Sequence, residues 1–370
     1  MHVLGLEPYY GGSHKAFQDG WIKHSTHTWD LLTLSAANWR WRMRHAPVTF
    51  SEQVLALRDQ GAKWDAVFCT DMLDLAPFVG LMPEMAALPK VIFFHENQML
   101  YPMEKGSSRD YHCAFSNFTS CLAADEVWFN SAFHRDGFLH ALRLFLKRMP
   151  NYRHLARVEQ IAEKSQVHAL GIDPQPRPSA NRRSGPMRIV WAARWEYDKR
   201  PDLFFEALDG LMAAGVAFEV SVLGGREGQD AASLFNDART RLGDRVQAWG
   251  YVESSDAYAQ ILAEADVVVS TADHEFFGLS IVEAVEAGAY PVVPDRLAYP
   301  EVLHGLRHLS HAFHDSTATG VMDRLRAIAG ELATGTLWGT NRWAGWEAMQ
   351  PYVWEQRAPA LDAALSEAAR

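Results

Sequence analysis

Short apolar runs alternate with helix-length segments along almost the whole chain, and this alternation limits the fold more than any other feature. Each run is four to six residues long and is predicted to be a strand. Strands that alternate with helices predict an α/β fold with a parallel sheet covered on both faces. The predicted strands are His2–Glu7, Trp29–Leu34, Asp65–Thr70, Lys90–His95, Glu126–Asn130, Gln166–Leu170, Arg188–Ala193, Phe218–Leu223, Val246–Tyr251, Asp266–Thr271 and Tyr290–Val293.

The alternation stops once, in a segment from Gly171 to Pro186 that contains four prolines and no apolar periodicity. Such a segment is typical of an interdomain linker. The sequence therefore predicts two doubly wound, Rossmann-like domains facing across a cleft, at residues 1–172 and 187–345. The linker is residues 173–186, and we expect a C-terminal helix at 346–370 to pack back on the first domain. In such sheets, ligands bind beyond the carboxyl ends of the strands.

Composition excludes several classes of protein. The 370 residues are 48% hydrophobic and 22% charged, the mix of a globular protein rather than a disordered chain. No apolar run reaches the ~18 residues needed to span a bilayer, and no signal peptide is visible. The three cysteines, Cys69, Cys113 and Cys121, lie far apart and lack metal-ligand spacing. We therefore expect a cytoplasmic protein without a membrane span or a metal site.

Charge is distributed unevenly between the two halves. Residues 1–185 hold 20 Lys+Arg against 18 Asp+Glu, a balance of +2, whereas residues 186–370 hold 15 against 27, a balance of −12. The net charge of −10 argues against a nucleic-acid partner for the chain as a whole. The asymmetry indicates that the two domains face different partners, or that only the first faces an anion.

Two predicted strand ends carry groups that suit phosphates. Gly11 and Gly12 follow the first strand, where backbone N–H groups at a helix N-terminus can bind an anion, although a tight turn explains them equally well. Arg194 and Lys199 follow the strand Arg188–Ala193, just before a helix that Pro201 could start. Two cations so placed suit a diphosphate, although single surface cations are commoner. Neither the Gly11–Gly12 turn nor the segment Leu223–Gly228 has the G-x-G-x-x-G pattern, which weakens the case for a nicotinamide-dependent oxidoreductase.

Carboxylates and amides follow other strands. Glu275 lies in a loop before a predicted helix, and Glu283 lies about a turn and a half into that helix. We favour a role for both as acceptors of polyol hydroxyls over an ordinary helix surface. Polar residues also end the strand Lys90–His95, beginning with His95 and continuing with Glu96, Asn97 and Gln98. For Asn117 and Asn130 the residues alone favour helix packing and capping.

The run from Trp39 to His45 alternates aromatic and basic side chains. Its arginines, Arg40, Arg42 and Arg44, suit contacts with phosphates, and its tryptophans suit stacking on bases. An amphipathic helix or loop with Trp39 and Met43 packed inward explains the same run. From composition alone we favour this second interpretation, because most charge runs are solvated faces.

Taken together, these motifs resemble those of known enzymes. Residues 186–300, with Arg194, Lys199 and the pair Glu275 and Glu283, resemble the GT-B glycosyltransferases of the retaining family-4 type. Five segments of the first half are similar, in order, to the tRNA-queuosine α-mannosyltransferase family. These segments are Glu7–Lys15, Trp39–Arg44, Phe94–Gln98, Asn117–Ser120 and Phe129–Ser131.

The resemblance implies a retaining, metal-independent hexosyltransferase that moves mannose from GDP-mannose, a co-substrate, onto queuosine in tRNA. No other cofactor is implied. The catalytic residues implied are His95, Arg194, Lys199 and Glu275. Donor-binding residues implied are Gly11, Gly12, Arg194, Lys199, Gly224, Tyr251, Phe277, Gly278, Leu279 and Glu283. Acceptor-binding residues implied are Ser13, His14, Arg40, Arg42, Arg44, Glu96, Asn97, Gln98, Asn117 and Asn130.

Two alternatives remain open at the level of sequence. The first is a GT-B family-4 enzyme with another donor or with a small-molecule, lipid or protein acceptor, which changes only the first domain. The second is a nucleotide-binding oxidoreductase or a non-catalytic nucleotide-binding module.

Overall fold

The computed structural model describes residues 1–102, 111–179, 184–225 and 232–370. Their contacts divide the chain into two compact units. The first unit comprises Met1–Gly171 and Trp354–Arg370, and the second comprises Ile172–Val353. Each unit is an α/β domain built on one six-stranded sheet.

The unit boundaries differ from the predicted domain boundaries. The sequence predicts a separate linker at 173–186, but its described part from 173 to 179 packs on the second unit. There the Gln175 N–H donates to the Glu286 carboxylate at 3.0 Å, and the Arg177 guanidinium lies 3.9 Å from the Trp343 ring. Residues 180–183 of the predicted linker lie outside the described residues. The last helix of the first unit begins at Trp354 rather than at 346.

The first sheet is parallel throughout, with strand order β2-β1-β3-β4-β5-β6. Its register places Leu4 opposite Val67 and Phe94 opposite Phe129. The strands are β1 (His2–Tyr10), β2 (Thr28–Ser35), β3 (Ala66–Thr70), β4 (Lys90–Phe94), β5 (Glu126–Phe129) and β6 (Ser165–Val167).

Seven helices belong to the described part of the first unit, together with a 3-10 turn at Pro83–Ala87. Helix α2 contains Pro47 and covers the whole basic and aromatic run, so the run is helical. The helices are α1 (Gly12–His24), α2 (Trp39–Asp59), α3 (Leu75–Leu81), α4 (Tyr111–Ala123), α5 (Ala132–Lys147), α6 (Leu155–Glu163) and, at the C-terminus, α14 (Trp354–Ala368).

The second sheet is also parallel, with strand order β12-β11-β10-β7-β8-β9. Its strands are β7 (Met187–Ala192), β8 (Phe218–Leu223), β9 (Val246–Gly250), β10 (Val267–Val269), β11 (Tyr290–Pro294) and β12 (Phe313–His314). Its helices are α7 (Pro201–Ala213), α8 (Ala232–Leu242), α9 (Ser255–Glu264), α10 (Leu279–Glu286), α11 (Tyr299–Val302), α12 (Ala318–Thr334) and α13 (Ala344–Met349). Its 3-10 turns are Tyr197–Lys199, Gly243–Arg245, His304–Leu306 and Gln350–Tyr352.

The predicted fold class is confirmed, since every predicted strand occurs in one of two parallel sheets with helices between the strands. Sequence reasoning missed strand β12. That strand has only two residues, Phe313 and His314, which is too short for an apolar run to stand out.

Aromatic side chains fill the core beneath one end of the first sheet. The rings of Phe17 and Phe93 stack with their centroids 4.5 Å apart, and Trp21 meets Phe68 edge-on at 4.9 Å. Large buried rings contribute strongly to core stability and fix the positions of the residues they touch. The ring of His95, directly after β4, lies edge-on to both Phe17 and Phe93. Packing against these two core rings therefore fixes the position of the His95 ring.

Helix α14 is held on the first unit by Trp354 and Asp362. The buried indole of Trp354 lies so close to Gly20 and Gly171 that a Cβ there would lie within 2.5 Å of it. The Asp362 carboxylate accepts hydrogen bonds from Trp21, Ser25 and Thr26 at 2.6–2.8 Å. Burial alone would raise the pKa of Asp362, but these hydrogen bonds hold it below its ordinary value.

We predict that Asp362→Ala lowers the free energy of unfolding by about 2–4 kcal/mol, because buried donors lose a charged acceptor. A carboxyl with a lowered folded pKa stabilises the protein above its unfolded pKa, and that stabilisation is lost as pH falls. The loss should therefore be full near pH 7 and decrease as the pH falls below the ordinary pKa of 3.8, measured by urea unfolding. Glu367→Ala, an exposed acid of the same helix, is the control. Equal effects of the two variants at pH 7 would contradict this account.

Candidate active site

The two sheets place several of the predicted site residues at the carboxyl ends of their strands. The order of the first sheet reverses between β1 and β3, and that of the second between β7 and β10. Crevices for ligands form at such reversals in parallel sheets. Gly11 follows β1, and Arg194 follows β7. Each unit thus carries its own set of polar residues at this edge.

A buried ion pair lies at the edge of the first sheet. Glu7 of β1 is fully buried, and its carboxylate lies 3.1 Å from Nδ1 of His14 in α1, which is also buried. Burial alone would lower the pKa of His14, but the charge of Glu7 and its hydrogen bond raise it to about 9. At neutral pH His14 is therefore a buried imidazolium. Sequence reasoning placed His14 with the acceptor and missed Glu7 as its partner.

His95 stacks on this imidazolium. The two ring centroids are 4.1 Å apart, and the ring planes are tilted by 33°. Burial and the positive charge of His14 hold the pKa of His95 well below its ordinary value, so this ring is neutral. Both ring nitrogens of His95 are buried and have no hydrogen-bond partner among the described residues. A neutral imidazole offers one donor and one acceptor, so His95 has both available for a polar ligand.

Asp71 completes the edge, and sequence reasoning missed it. Asp71 directly follows β3 and is fully buried. One of its carboxyl oxygens accepts a hydrogen bond from the backbone N–H of His95 at 2.8 Å. The other oxygen has no hydrogen-bond partner within the described ranges. Burial raises the pKa of Asp71 to about 8 despite the nearby charge of His14. The available signal was its position after an apolar strand, the same signal that identified His95.

The fold also brings together three side chains of metal-ligand type, which sequence spacing did not reveal. Ligand atoms of Glu7, His14 and His95 lie within 4.8 Å of one another. Within this group, Nδ1 of His14 is hydrogen-bonded to Glu7 at 3.1 Å.

The amides near His95 fix the backbone of the loop after β4. Asn117 accepts from the Gln98 N–H and donates to the Asp71 carbonyl, and Asn130 donates to the His95 carbonyl. Both amides are buried and bound within the protein, as the residues alone favoured, while the acceptor contact implied by the resemblance stays a prediction.

The remaining loop residues divide between bound and open groups. The side-chain carbonyl of Asn97 accepts the backbone N–H of Leu100. The buried side-chain nitrogen of Asn97 has no hydrogen-bond partner in the part of the chain that the structure describes. Gln98 donates to the half-buried Glu96 carboxylate at 3.3 Å.

The glycine turn leaves the N-terminus of α1 open. Gly12 has φ +52° and lies in open space, Ser13 is exposed, and the first turn of α1 contains no acidic residue. A Cβ at Gly11 would lie 2.5 Å from the Ala36 side chain, so glycine is also required for packing. Both interpretations of this turn are therefore compatible with the structure. Backbone N–H groups at such a terminus favour an anion.

The three arginines of α2 do not share one environment. Arg40 and Arg44 are exposed and four residues apart, hence on one face of the helix. Arg42 points elsewhere, because its guanidinium donates to the Ser35 carbonyl and hydroxyl at 2.9 and 2.7 Å and contacts His45. Arg42 is thus engaged within the protein in this structure, and the assignment of the three arginines to acceptor binding stays a prediction, with Arg40 and Arg44 better placed for it.

In the second unit, Lys199 and Glu275 form the centre of the edge. The buried ammonium of Lys199 donates to the His274 carbonyl at 2.7 Å and lies 3.3 Å from Glu275 and 3.4 Å from Asp198. Burial would lower the pKa of Lys199, but Glu275 and Asp198 raise it above its ordinary value. Burial would raise the pKa of Glu275, yet Lys199 lowers it. Both groups therefore stay charged at neutral pH.

Hydrogen bonds join the loops that carry these charges. The Thr271 hydroxyl donates to the Lys199 carbonyl at 2.8 Å, and the Asp273 N–H donates to the Asp198 carbonyl at 2.7 Å. The Ser280 hydroxyl donates to the carbonyl of Ala192, the last residue of β7, at 2.7 Å. These contacts fix α10 and the Glu275 loop against the end of β7.

Arg194 lies at the exposed side of this cluster. Its guanidinium is 3.3 Å from Glu196, and its charge acts on both Lys199 and Glu275. Gly224, at the end of β8, has φ +138°, and a Cβ there would lie 1.9 Å from the Ala193 carbonyl oxygen. Glycine at 224 thus permits the close approach of β8 to the turn that carries Arg194.

Glu283 lies in the second turn of α10 and has a partner that sequence reasoning missed. The hydroxyl of Tyr258 donates to its carboxylate at 2.9 Å. Burial raises the pKa of Glu283 to about 7, although the hydrogen bond from Tyr258 opposes this. The carboxyl is therefore partly protonated at neutral pH. Sequence spacing does not predict the contact between Tyr258 and Glu283. The two residues lie in different helices, α9 and α10, and only the packing of these helices brings their side chains together.

The remaining predicted donor residues surround the N-terminus of α10. Gly278 caps this helix with φ +87°, and Leu279 is its first residue. The Phe277 side chain is buried edge-on to Tyr352 at 5.6 Å, so only its backbone can reach a ligand. Tyr251 directly follows β9 and is 75% exposed.

Comparisons with known families match each half separately. Residues 2–172 match the family described as tRNA-queuosine alpha-mannosyltransferase N-terminal, and residues 186–326 match the family described as Glycosyl transferases group 1. Among the described residues, no helix combines the length and apolarity that crossing a membrane requires.

Solved structures share the fold. Sucrose-phosphate synthase from Thermosynechococcus elongatus is 14% identical with a TM-score of 0.73, and the match covers 99% of each chain. The Anabaena protein Alr3699/HepE, solved in complex with UDP, is 16% identical with a TM-score of 0.66 over 99% of each chain. These matches confirm the expected GT-B fold.

Two relatives are similar in sequence. A short match of 115 residues is 31% identical to the GDP-mannose-dependent alpha-(1-6)-phosphatidylinositol dimannoside mannosyltransferase of Mycobacterium tuberculosis, covering 31% of this chain and 29% of that protein. The tRNA-queuosine alpha-mannosyltransferase of Drosophila melanogaster is 35% identical over 312 residues, which is 81% of each chain. The oxidoreductase alternative is thereby excluded, and this chain belongs to the tRNA-queuosine alpha-mannosyltransferase family of hexosyltransferases.

Proposed function

We propose that this protein transfers mannose from GDP-mannose onto a hydroxyl of queuosine in tRNA, with retention of anomeric configuration and without a metal ion. The observation that carries the proposal is the match of residues 2–172 to the queuosine-specific family, with 35% identity to the Drosophila enzyme. The GDP-mannose-dependent relative supports the choice of donor. The three free, buried cysteines suit a reducing compartment, and we place the reaction in the cytoplasm.

The edge of the second unit binds the donor in this proposal. Arg194 and Lys199 stabilise the diphosphate, because both remain positive at neutral pH and charge-assisted hydrogen bonds to phosphate are strong. Glu275 accepts from hydroxyls of the mannose, and Glu283 accepts from the ribose diol. The exposed ring of Tyr251 suits stacking on guanine. The N–H groups at Gly11 and Gly12 offer a further site for an anionic oxygen.

Transfer then proceeds on one face of the sugar. The bond between the anomeric carbon and the diphosphate oxygen breaks, and the queuosine hydroxyl forms the new bond from the same side. Its proton passes to the departing phosphate oxygen, so the products are GDP and the glycoside. The fixed positive charges of Arg194 and Lys199 act where negative charge develops, and such stabilisation is usually the largest single contribution to catalysis. No carboxylate nucleophile is needed, and Glu275 is held by Lys199.

The edge of the first unit binds the acceptor. Neutral His95 offers a donor and an acceptor to a sugar or cyclopentene hydroxyl, and the His14 imidazolium holds it in that state. Ser13, Glu96, Asn97 and Gln98 surround it as further polar contacts. Arg40 and Arg44 contact phosphates of the anticodon loop. The contribution of such contacts to tRNA affinity falls as the salt concentration rises.

The donor assignment predicts large losses of turnover. Arg194→Ala and Lys199→Ala should each lower kcat about 10²–10³-fold, the scale of losing one transition-state hydrogen-bond donor. Transfer is measured with labelled GDP-mannose and tRNA that contains queuosine. Arg241→Ala, an exposed arginine of α8 paired with Asp209, should retain full activity. Wild-type turnover should also survive EDTA. Normal kcat in both site variants would overturn the donor assignment, and EDTA inactivation would overturn metal independence.

The ribose assignment predicts a dependence on pH. A carboxylate accepts from both ribose hydroxyls only when ionised, and the pKa of Glu283 is about 7 in the free protein. GDP affinity, measured by calorimetry, should therefore rise between pH 6 and pH 8 and then level off. Glu283→Gln should bind GDP more weakly and remove this rise. A pH dependence identical in wild type and Glu283→Gln would refute the assignment.

The acceptor assignment predicts a charge effect confined to tRNA. Arg40→Glu combined with Arg44→Glu should weaken tRNA binding at least tenfold but leave GDP-mannose binding unchanged, and wild-type tRNA affinity should fall steeply between ~50 and ~200 mM salt. Lys63→Glu is the control, since Lys63 is exposed in the loop before the amino end of β3, opposite the site edge.

The comparison that tests the function itself uses one tRNA with queuosine and the same tRNA with guanine at that position. We expect the wild-type enzyme to transfer mannose only to the first. Transfer to neither, with transfer to a small or lipid acceptor instead, would refute the proposed acceptor.

A further inference from the structure

A cavity of about 560 Å³ lies within the first unit and beside the acceptor edge. Helices α2, α3 and α4 form its walls. Met43 and Arg44 come from α2, Pro77 from α3, and His112, Phe115 and Ser116 from α4. Its size falls within the range of sites for small ligands, which is about 300–1,000 Å³.

The cavity adjoins the His14 and His95 edge through one small cluster. Met43 and Cys113, which line the cavity, pack on Met72, and Met72 directly follows Asp71. Tyr9 packs against the same cluster, and its ring lies 5.9 Å from that of His14. A ligand in the cavity would therefore be a close neighbour of a ligand at His95, with the Met43 and Cys113 wall between them.

The lining suits a flat ring that carries polar atoms. Phe115 is 45% exposed and presents an aromatic surface, and Met43 and Pro77 add apolar contact. Polar groups stand beside these surfaces, namely Arg44, His112 and Ser116. A nucleobase combines a π-face with hydrogen-bonding edges, and stacking on an aromatic side chain is the usual way in which proteins hold an unstacked base.

The surrounding charge favours a polyanion as the source of that base. Arg44 lines the cavity and shares a helix face with Arg40, and the first turn of α2 contains no acidic residue. Asp74, the one carboxylate among the described lining residues, accepts from Ser116 at 2.7 Å. A nucleotide in the cavity would lie beside Arg44, a cation able to pair with its phosphate.

We propose that this cavity binds an unstacked base of the RNA acceptor adjacent to the nucleoside that is glycosylated. The inference rests on the proposed function, since it needs RNA as the acceptor. It adds a second base-binding site to the first unit, through which the enzyme senses the sequence next to the modified nucleoside.

The test combines a protein variant with a base deletion. Anticodon stem-loops containing queuosine are prepared intact and with an abasic residue on either side of it. Loss of one stacked base should raise KM for the stem-loop about tenfold with the wild-type enzyme, for one of the two abasic positions. Phe115→Ala should raise KM for the intact stem-loop by a similar factor, with kcat and the KM for GDP-mannose unchanged. Phe115→Leu, which keeps apolar bulk but loses the ring, should behave likewise if Phe115→Ala fails to fold.

Non-additivity is the decisive result. If Phe115 stacks on the missing base, the variant and the abasic position should together raise KM no more than either alone. Phe133→Ala, an aromatic of α5 that is 37% exposed and lies outside the cavity, should leave KM unchanged. Multiplying effects, or an unchanged KM for Phe115→Ala and Phe115→Leu, would overturn this inference alone. Failure of the wild-type enzyme to modify the intact stem-loop would instead overturn the proposed function.

Discussion

The buried hydrogen bond between His14 and Glu7 determines the charges at the carboxyl edge of the first sheet. It stabilises a positive imidazolium that is buried away from water. Removing one partner of such a buried ion pair typically lowers the free energy of unfolding by about 3–5 kcal/mol. That positive charge, together with burial, keeps His95 neutral, so that one ring donor and one ring acceptor remain available. Asp71 then fixes the backbone of His95 without adding a charge at neutral pH. In the proposed function, this arrangement is already formed before the acceptor binds.

The second unit is also built on a six-stranded parallel sheet, but Lys199 and Glu275 at its carboxyl edge are charged, whereas His95 at the first edge is neutral. A nucleoside diphosphate needs permanent positive charge, and Lys199 keeps its proton because Glu275 and Asp198 lie beside it. A sugar needs ionised acceptors, and Lys199 in turn keeps Glu275 ionised. The overall charge of −12 in residues 186–370 therefore does not oppose phosphate binding, because the local cations lie at the strand ends. In the proposed function, position relative to the sheet, rather than net charge, decides what each unit binds.

Sequence patterns predicted the fold well because strand periodicity is local. The strands, the parallel order and the placement of His95, Arg194, Lys199 and Glu275 after strands all follow from short apolar runs and the rule for parallel sheets.

Contacts between distant segments could not be predicted in the same way. Three side-chain contacts depend on which residues the packing brings together. They are the contact of His14 with Glu7, that of Glu283 with Tyr258 and that of Arg42 with Ser35. The same holds for the protonation of Asp71, which follows from burial.

The most direct measurement of the central claim is mass spectrometry of the nucleosides released from tRNA after incubation with this protein and GDP-mannose. The account predicts that queuosine is converted to a species heavier by one hexose residue, and that an α-mannosidase restores queuosine. Unchanged queuosine at full donor consumption, or a hexose found on another nucleoside, would contradict it.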